Sequence, residues 1–164
     1  MAAIDEITKA NERYASSFEK GDLPMPPGRR FVVVTCMDAR IDPAKALGLE
    51  EGDAHVIRNA GGLATDDALR SVVISNALLG TQEAFVIGHT DCGMITFSNE
   101  DLRAKLRDER GVDATHLDFQ PFPDVAARVR SSVRRLQESP LLPDDFAVKG
   151  FVYDVSTGRI DPVD

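Results

Sequence analysis

Two short segments contain the residues of this chain that are best suited to bind a metal ion. Its only two cysteines, Cys36 and Cys92, lie in TCMDAR (35–40) and GHTDCGM (88–94), and one of its three histidines, His89, precedes Cys92 by three residues. Thiolate and imidazole ligands together suit zinc, although iron or cobalt is also compatible with them. Three protein ligands with a fourth position open are typical of catalytic zinc, which lowers the pKa of a bound water.

Asp38 and Arg40 strengthen the hypothesis of a catalytic centre. Along an extended strand end, residues two positions apart point the same way, so Asp38 should lean towards the metal beside Cys36. Arg40 can hold that carboxylate through a bidentate pair. Asp38 could then orient a zinc-bound hydroxide, or it could swing in and become the fourth ligand.

Each of these residues also has a simpler interpretation. A cysteine in an apolar strand is usually a core residue, a lone histidine is usually hydrogen-bonded locally, and Asp-x-Arg is a common surface pair. A disulfide between Cys36 and Cys92 is a weaker hypothesis in a reducing compartment. A redox function is weaker still, because the two cysteines do not form a C-x-x-C pair. Only the three candidate ligands taken together favour the metal.

The elements that must position these residues alternate between strand and helix. We predict buried strands in RFVVVTCM (30–37), AHVIRNAGG (54–62), EAFVIGHTD (83–91) and the start of FAVKGFVYDVSTGRIDPV (146–163), whose Thr157-Gly158 turn could lead into a hairpin partner. We predict helices over 4–18, from the Asp42-Pro43 cap to Gly48, from Thr65 or Asp66 to Gly80, from Ser98 or Asn99 to Gly111, and over 124–138. This alternation indicates an α/β fold with a mainly parallel sheet flanked by helices.

The fold class places the candidate ligands together. Cys36 and His89 end the first and third predicted strands, and in an open α/β sheet ligands collect outside the carboxyl ends of strands. If those two strands are neighbours, both side chains face one crevice, and Cys92 can turn back to it. We expect one domain over 1–164, with a helix and proline-rich connection in 1–28 and a catalytic core in 29–164.

Composition and charge exclude several classes of function. The chain has 164 residues, 43% of them hydrophobic, and a formal net charge of −8. Such a surface repels nucleic acid, and the basic RVRSSVRR (128–135) is spaced like the polar face of a helix. No apolar run approaches the length of a membrane span. With few cysteines and no signal-peptide pattern, we expect a cytoplasmic protein.

The segments CMDAR, RNAGG and HTDCGM, in that order, resemble the β-class carbonic anhydrases, particularly the short members without long terminal extensions. The resemblance runs from about residue 30 to the end. It implies one Zn²⁺ per subunit on Cys36, His89 and Cys92, and an Asp38–Arg40 dyad that orients the attacking zinc hydroxide. It also implies reversible hydration of CO2 to bicarbonate and a proton.

The resemblance carries further expectations about the pocket and the assembly. It implies strand order 2-1-3-4 and a homodimer or dimer of dimers, with the N-terminal helix packing on the partner subunit. Substrate-pocket residues would be Asn59, Ala60, Gly61, Gly62 and Gly93. In some members the Asp binds zinc in a closed state. The inhibitory bicarbonate site of some members includes a Trp, and this chain has none.

Two other functions are compatible with these residues. The same fold and ligands occur in enzymes that hydrolyse CS2 or COS, and the zinc ligands do not distinguish them. A non-catalytic, zinc-stabilised dimer module is the third hypothesis, but it gives no use to Asp38 and Arg40. His55 and His116 are expected to be structural or exposed rather than proton shuttles.

Overall fold

A computed structural model describes residues 2–164 and contains five helices and five strands in that range. The helices are α1 (Ala3–Ser16), α2 (Pro43–Leu47), α3 (Asp66–Leu79), α4 (Asn99–Arg110) and α5 (Val125–Gln137). The strands are β1 (Phe31–Cys36), β2 (His55–Asn59), β3 (Glu83–His89), β4 (Ala147–Tyr153) and β5 (Ile160–Val163), and a 3-10 turn covers Gly93–Ile95.

The strands form one sheet in the order β2-β1-β3-β4-β5. The first four are parallel and β5 runs antiparallel to β4. The predicted order 2-1-3-4 is therefore confirmed, and the hairpin partner is present. Its turn closes where the Gly158 N–H donates to the Asp154 carbonyl at 2.8 Å, and Gly158 takes a φ of 74°, which glycine adopts without strain.

One face of the sheet is covered by α3 and α5. All six residues of β1 are buried, as expected for a β-branched central strand of a parallel sheet. Val32, Val34 and Val86 have no exposed surface, and α3 and α5 pack on them. The helix residues buried in this core are Ala68, Val72, Val129 and Leu136.

Side-chain caps start three of the helices as the sequence predicts. The Asp42 carboxylate accepts from the Lys45 N–H at 3.2 Å, and the Thr65 hydroxyl accepts from the Ala68 N–H at 3.3 Å. Ser98 and Asp101 form a reciprocal capping box. The caps of α3 and α4 are therefore Thr65 and Ser98, not the alternatives Asp66 and Asn99. The C-terminal residues Gly48, Gly80 and Gly111 are all left-handed.

Helix α1 has no buried residue. Ile4 and Ile7 are 66% and 64% exposed. The helix ends at Ser16, so the predicted end at 18 was wrong by two residues. Phe18, two residues beyond the helix, still contacts the ring of Tyr14, with ring centroids 5.5 Å apart.

The second face of the sheet is only partly covered. Phe31, Phe85 and Phe151 meet edge to face in a row, with centroid separations of 5.1 and 6.1 Å. They line an open apolar groove of about 370 Å³ with Leu47 and Ile160. We call this the aromatic groove. Within residues 2–164, no helix is long and apolar enough to cross a membrane.

Candidate metal centre

The topology brings the three predicted ligands together. Cys36 is the last residue of β1 and His89 the last of β3, and these parallel strands are neighbours. Cys92 follows after a short turn. The ligand atoms of the three side chains all lie within 4.8 Å of one another. Each residue is at most 5% exposed, so the cluster is a buried one with nitrogen and sulfur donors.

The His89 ring is oriented for metal binding. Its Nδ1 lies 2.9 Å from the Thr90 carbonyl oxygen. Because a carbonyl only accepts, Nδ1 carries the proton and Nε2 keeps a free lone pair. Nε2 is buried and finds no hydrogen-bond partner among residues 2–164. A buried polar atom without a partner is costly unless something else binds it, and a metal ion would.

The ionisation of the cluster is strongly shifted. Burial raises the pKa of the Cys36 thiol, but the neighbouring His89 imidazole and the backbone N–H groups of Asp38 and Gly61 outweigh it and lower the pKa to about 7. Burial lowers the pKa of His89, yet the contact with Cys36 raises it above its ordinary value. Burial, with Cys36 adding to it, raises the pKa of Cys92. Cys36 is therefore the thiol prepared to ionise near neutral pH.

The Asp38–Arg40 pair lies beside the cluster, as the sequence predicts. Arg40 Nε donates to Asp38 Oδ1 at 3.0 Å and Nη2 to Oδ2 at 2.8 Å, and the Arg40 backbone N–H also donates to Oδ1 at 2.9 Å. These bonds hold the pKa of Asp38 well below its usual range. Asp38 Oδ2 lies 3.7 Å from His89 Nε2, so the ionised carboxylate borders the space that the ligands enclose.

Arg58 and Asp91 also shape this region, although the sequence reasoning gave them no function. Arg58 on β2 donates to the carbonyl oxygens of Cys36 at 2.9 Å and Asp38 at 2.7 Å. Asp91 accepts from Arg40 Nη1 at 2.7 Å. Both belong to the motifs RNAGG and HTDCGM. Their presence in those motifs was the available signal, but their contacts depend on which strand ends are neighbours.

The NAGG turn packs against the strand ends. The Asn59 side chain closes the turn, because its Nδ2 donates to the Leu63 carbonyl and its Oδ1 accepts from the Leu63 N–H, both at 2.8 Å. A Cβ on Gly62 would lie 2.9 Å from the Cys36 backbone nitrogen, and one on Gly61 would lie 2.9 Å from Phe122. Gly61 and Gly62 line a narrow cavity that His89 and Cys92 also line.

Ala60 and Gly93 are both exposed, and a Cβ on Gly93 would have no neighbouring atom within 4 Å. Their predicted function in the pocket, like that of Asn59, stays a prediction.

Comparison with known proteins decides the family. The sequence model described as carbonic anhydrase matches residues 31–160. β-Carbonic anhydrase 1 of Mycobacterium tuberculosis is 45% identical over 163 residues, covering 99% of each chain. The crystal structure of carbonic anhydrase from Streptococcus mutans superposes with a TM-score of 0.95 at 46% identity, covering 100% of this chain and 99% of that one.

This chain belongs to the β-class carbonic anhydrase family. A carbon disulfide hydrolase from Acidianus is also similar, at 35% identity over 96% of this chain and 87% of that protein. The family resemblance predicted from the motifs is thereby confirmed.

One further side of the metal site is formed by a segment whose position could not be predicted from the sequence. Residues 112–123 lack periodicity, but the structure folds them back over the site. The Phe122 N–H donates to the Met94 carbonyl at 3.2 Å, and the Phe122 ring is buried in one cluster with Cys36, Cys92 and Met94. The space beside the ligands is therefore bounded by apolar groups.

The donor set fits zinc. Two cysteines, both free of disulfide bonds, and one imidazole place their ligand atoms within 4.8 Å of one another, and the imidazole Nε2 has no hydrogen-bond partner among residues 2–164. Of the remaining histidines, His116 is exposed, whereas His55 is part-buried and its Nδ1 lies 2.7 Å from Ser75 Oγ. His55 thus ties the start of β2 to α3, consistent with the structural function expected of it.

Proposed function

We propose that this protein is a zinc-dependent carbonic anhydrase that interconverts CO2 and bicarbonate. The observation that carries the proposal is the ionised Asp38, held by Arg40 at the edge of a buried Cys-His-Cys cluster. The membership of the carbonic anhydrase family supports it. Cys36, His89 and Cys92 would hold one Zn²⁺ per chain, and zinc would supply a Lewis acid that lowers the pKa of a bound water.

The protein residues contribute orientation and an apolar environment. Arg40 keeps Asp38 ionised, so the Asp38 carboxylate can only accept a hydrogen bond. A hydroxyl group next to it must therefore donate its proton to Asp38, and the lone pairs of the hydroxyl oxygen then point away from the carboxylate. Arg40 fixes the direction of that acceptor through two parallel bonds. Apolar side chains that pack around the two cysteines suit a small nonpolar substrate such as CO2, namely Ile41, Leu63, Met94 and Phe122.

The comparisons favour CO2 over CS2 or COS. β-Carbonic anhydrase 1 of Mycobacterium tuberculosis is 45% identical, and the carbonic anhydrase of Streptococcus mutans is 46% identical with a TM-score of 0.95. A carbon disulfide hydrolase structure superposes with a TM-score of 0.73 at 34% identity. A non-catalytic zinc module would not need a carboxylate that an arginine holds at the edge of the metal site. The Asp38–Arg40 dyad therefore supports catalysis.

The test is stopped-flow CO2 hydration on protein whose zinc content has been measured, beside CS2 hydrolysis on the same sample. Asp38→Ala should keep the zinc and the fold but lose most of the turnover, because the orienting acceptor is gone. Asp67→Ala, which removes an exposed carboxylate on α3, is the matched control and should hydrate CO2 normally. Full zinc occupancy without CO2 hydration would exclude the proposal, and CS2 turnover in that sample would favour the alternative.

We further propose that the protein is a homodimer, or a dimer of dimers, in which α1 of one chain packs in the aromatic groove of the other. Helix α1 presents Ile4, Ile7 and Tyr14 on one exposed stripe, and the chain buries none of them. The groove is mostly apolar, and its two charged lining residues are Arg29 and Glu83. The first turn of α1 carries Asp5 and Glu6, whose charge complements Arg29.

Sedimentation of Ile7→Asn and Glu12→Asn tests this assembly. Both variants place asparagine on α1, so helix propensity changes little, but only the first removes an apolar side chain from the stripe. Ile7→Asn should shift the protein towards monomer at micromolar concentration, whereas Glu12→Asn should sediment like the parent. Equal sedimentation of all three proteins would contradict the assembly.

A further inference from the structure

Arg40 divides its hydrogen bonds between two aspartates on different strand ends. Its Nε and Nη2 bind the carboxylate of Asp38, which follows β1. Its Nη1 donates to Asp91 Oδ2 at 2.7 Å, and its Nη2 also donates to the Asp91 carbonyl oxygen at 2.8 Å. Asp91 follows β3 between His89 and Cys92. One guanidinium thus connects the segment that follows Cys36 to the turn between the other two candidate ligands, His89 and Cys92.

The backbone of Asp91 is shaped for this contact. Asp91 has a φ of 53°, one of three positive values at non-glycine residues within 2–164. Aspartate and asparagine tolerate this left-handed conformation better than most residues. In this turn both the Asp91 carbonyl and its carboxylate reach the same guanidinium. Asp91 therefore binds Arg40 through two acceptors, its carboxylate and its backbone carbonyl, and the carbonyl bond does not depend on the charge of the side chain.

We propose that Asp91 is a positioning residue, which anchors Arg40 and thereby keeps Asp38 withdrawn from the metal position. This inference rests on the proposed zinc site. Arg40 is 46% exposed and has a long, flexible side chain. Anchoring it at Asp91 means that less conformational freedom is lost when it pairs with Asp38. Without that anchor, the Asp38–Arg40 pair weakens, and Asp38 Oδ2, 3.7 Å from His89 Nε2, competes more often for the open ligand position.

Asp91 also competes with Asp38 for Arg40, so loss of Asp91 would by this route strengthen the Asp38–Arg40 pair. This opposite effect is the smaller of the two. The Asp91 side chain is 77% exposed, so solvent screens its charge. Asp38 is 17% exposed and its pair with Arg40 is bidentate, which makes that pair sensitive to the position of the guanidinium. Loss of Asp91 should therefore disturb the position of the Arg40 guanidinium more than it strengthens the attraction between Arg40 and Asp38.

Azide binding to cobalt-substituted protein tests the inference, with the visible absorption of the metal as the signal. Azide needs the open ligand position, so it competes with Asp38. Asp91→Asn should raise the azide dissociation constant about 2- to 5-fold, the range expected for one exposed ion pair. Removing a negative charge near a bound anion would by itself tighten azide binding. The expected sign is thus opposite to that of simple electrostatics.

A double-mutant cycle with Asp38→Asn identifies the route of the effect. If Asp91 acts through Asp38, then Asp91→Asn should leave the azide dissociation constant unchanged in the Asp38→Asn background. Asp67→Asn, which breaks another exposed Asp–Arg pair at 3.3 Å on α3, should change nothing in either background. Should Asp91→Asn not fold, Asp91→Gly also accommodates the positive φ and removes the carboxylate.

Three results would overturn the assignment: tighter azide binding in Asp91→Asn, an unchanged dissociation constant, or an effect that persists in the Asp38→Asn background. Failure of the proposed function is distinguishable, because it shows in the parent protein as metal occupancy without CO2 hydration. The azide cycle does not depend on turnover.

Discussion

The core beneath α3 and α5 and the metal centre at the ends of β1 and β3 are built on the same strands and are equally buried. The core consists of apolar side chains such as Val34, Val72 and Leu136. The metal centre, a few residues along the same strands, contains two thiols and an imidazole nitrogen without a partner among residues 2–164. Burial in the core lowers the free energy of the fold, whereas burial in the centre is unfavourable until an ion binds. Substitutions in the two regions should therefore change different observables.

The largest effect should come from Cys92→Ala. Loss of one of three ligands should remove zinc and reduce CO2 hydration to the uncatalysed rate. The metal-free protein should lose only about 1 kcal/mol of unfolding free energy, since one small apolar atom leaves the interior. Metal analysis, stopped-flow kinetics and urea unfolding of the metal-free form measure these three quantities. Retention of one zinc per chain with normal turnover would contradict the ligand assignment.

Leu136→Ala should show the reverse pattern. Leu136 is fully buried between α5 and the sheet, and its truncation should cost about 2–5 kcal/mol of unfolding free energy. Turnover per bound zinc should stay unchanged, because Leu136 belongs to the core cluster and not to the cluster of side chains around the two cysteines. Urea unfolding and kinetics normalised to zinc test this. If turnover per zinc fell with stability, the two regions would not be independent.

Removal of zinc should lower stability by an amount that depends on the free zinc concentration before removal. A ligand that binds only the folded state stabilises it by about 2.7 kcal/mol at a concentration one hundred times its dissociation constant. Thermal unfolding with zinc buffered at several free concentrations should show a midpoint that rises with free zinc. In Cys92→Ala the same titration should leave the midpoint constant.

The pH dependence of zinc affinity should separate the two thiols. Above pH 7, Cys36 is already a thiolate because its pKa is lowered to about 7, whereas Cys92 remains a thiol because burial raises its pKa. Zinc must then displace about one proton, and its affinity should rise about tenfold per pH unit. Below pH 7, Cys36 also holds a proton, so affinity should fall about a hundredfold per unit, and His89, whose pKa is raised, steepens that fall where it too is protonated. Competition with a chromophoric chelator from pH 6 to 8.5 measures the two slopes, and a single slope throughout would be contrary to expectation.

Much of the site follows from the sequence because it depends on strand ends. Cys36 and His89 close two apolar, β-branched runs, and a parallel sheet brings such ends to one edge. Asp38 and Arg40 are two residues apart, so their pairing is a local matter. The end of α1 and the long-range contacts are different. Arg58 and Phe122 reach the site only because β2 borders β1 and because residues 112–123 fold back, and neither fact is encoded in local periodicity.

Gly62 has a consequence for which sequences this fold can accept. A Cβ there would meet the backbone of Thr35 and Cys36 at 2.9 Å and the Ile87 carbonyl oxygen at 3.1 Å, and φ is 64°. Backbone atoms cannot move aside as a flexible side chain can, so no other residue fits between β1 and β3 at this point. Gly111 has a similar φ of 65° but nothing within 4 Å, so asparagine could replace it. Two glycines with nearly the same φ thus differ in the substitutions that they tolerate. Position 62 accepts only glycine, whereas position 111 accepts any residue that tolerates a left-handed turn.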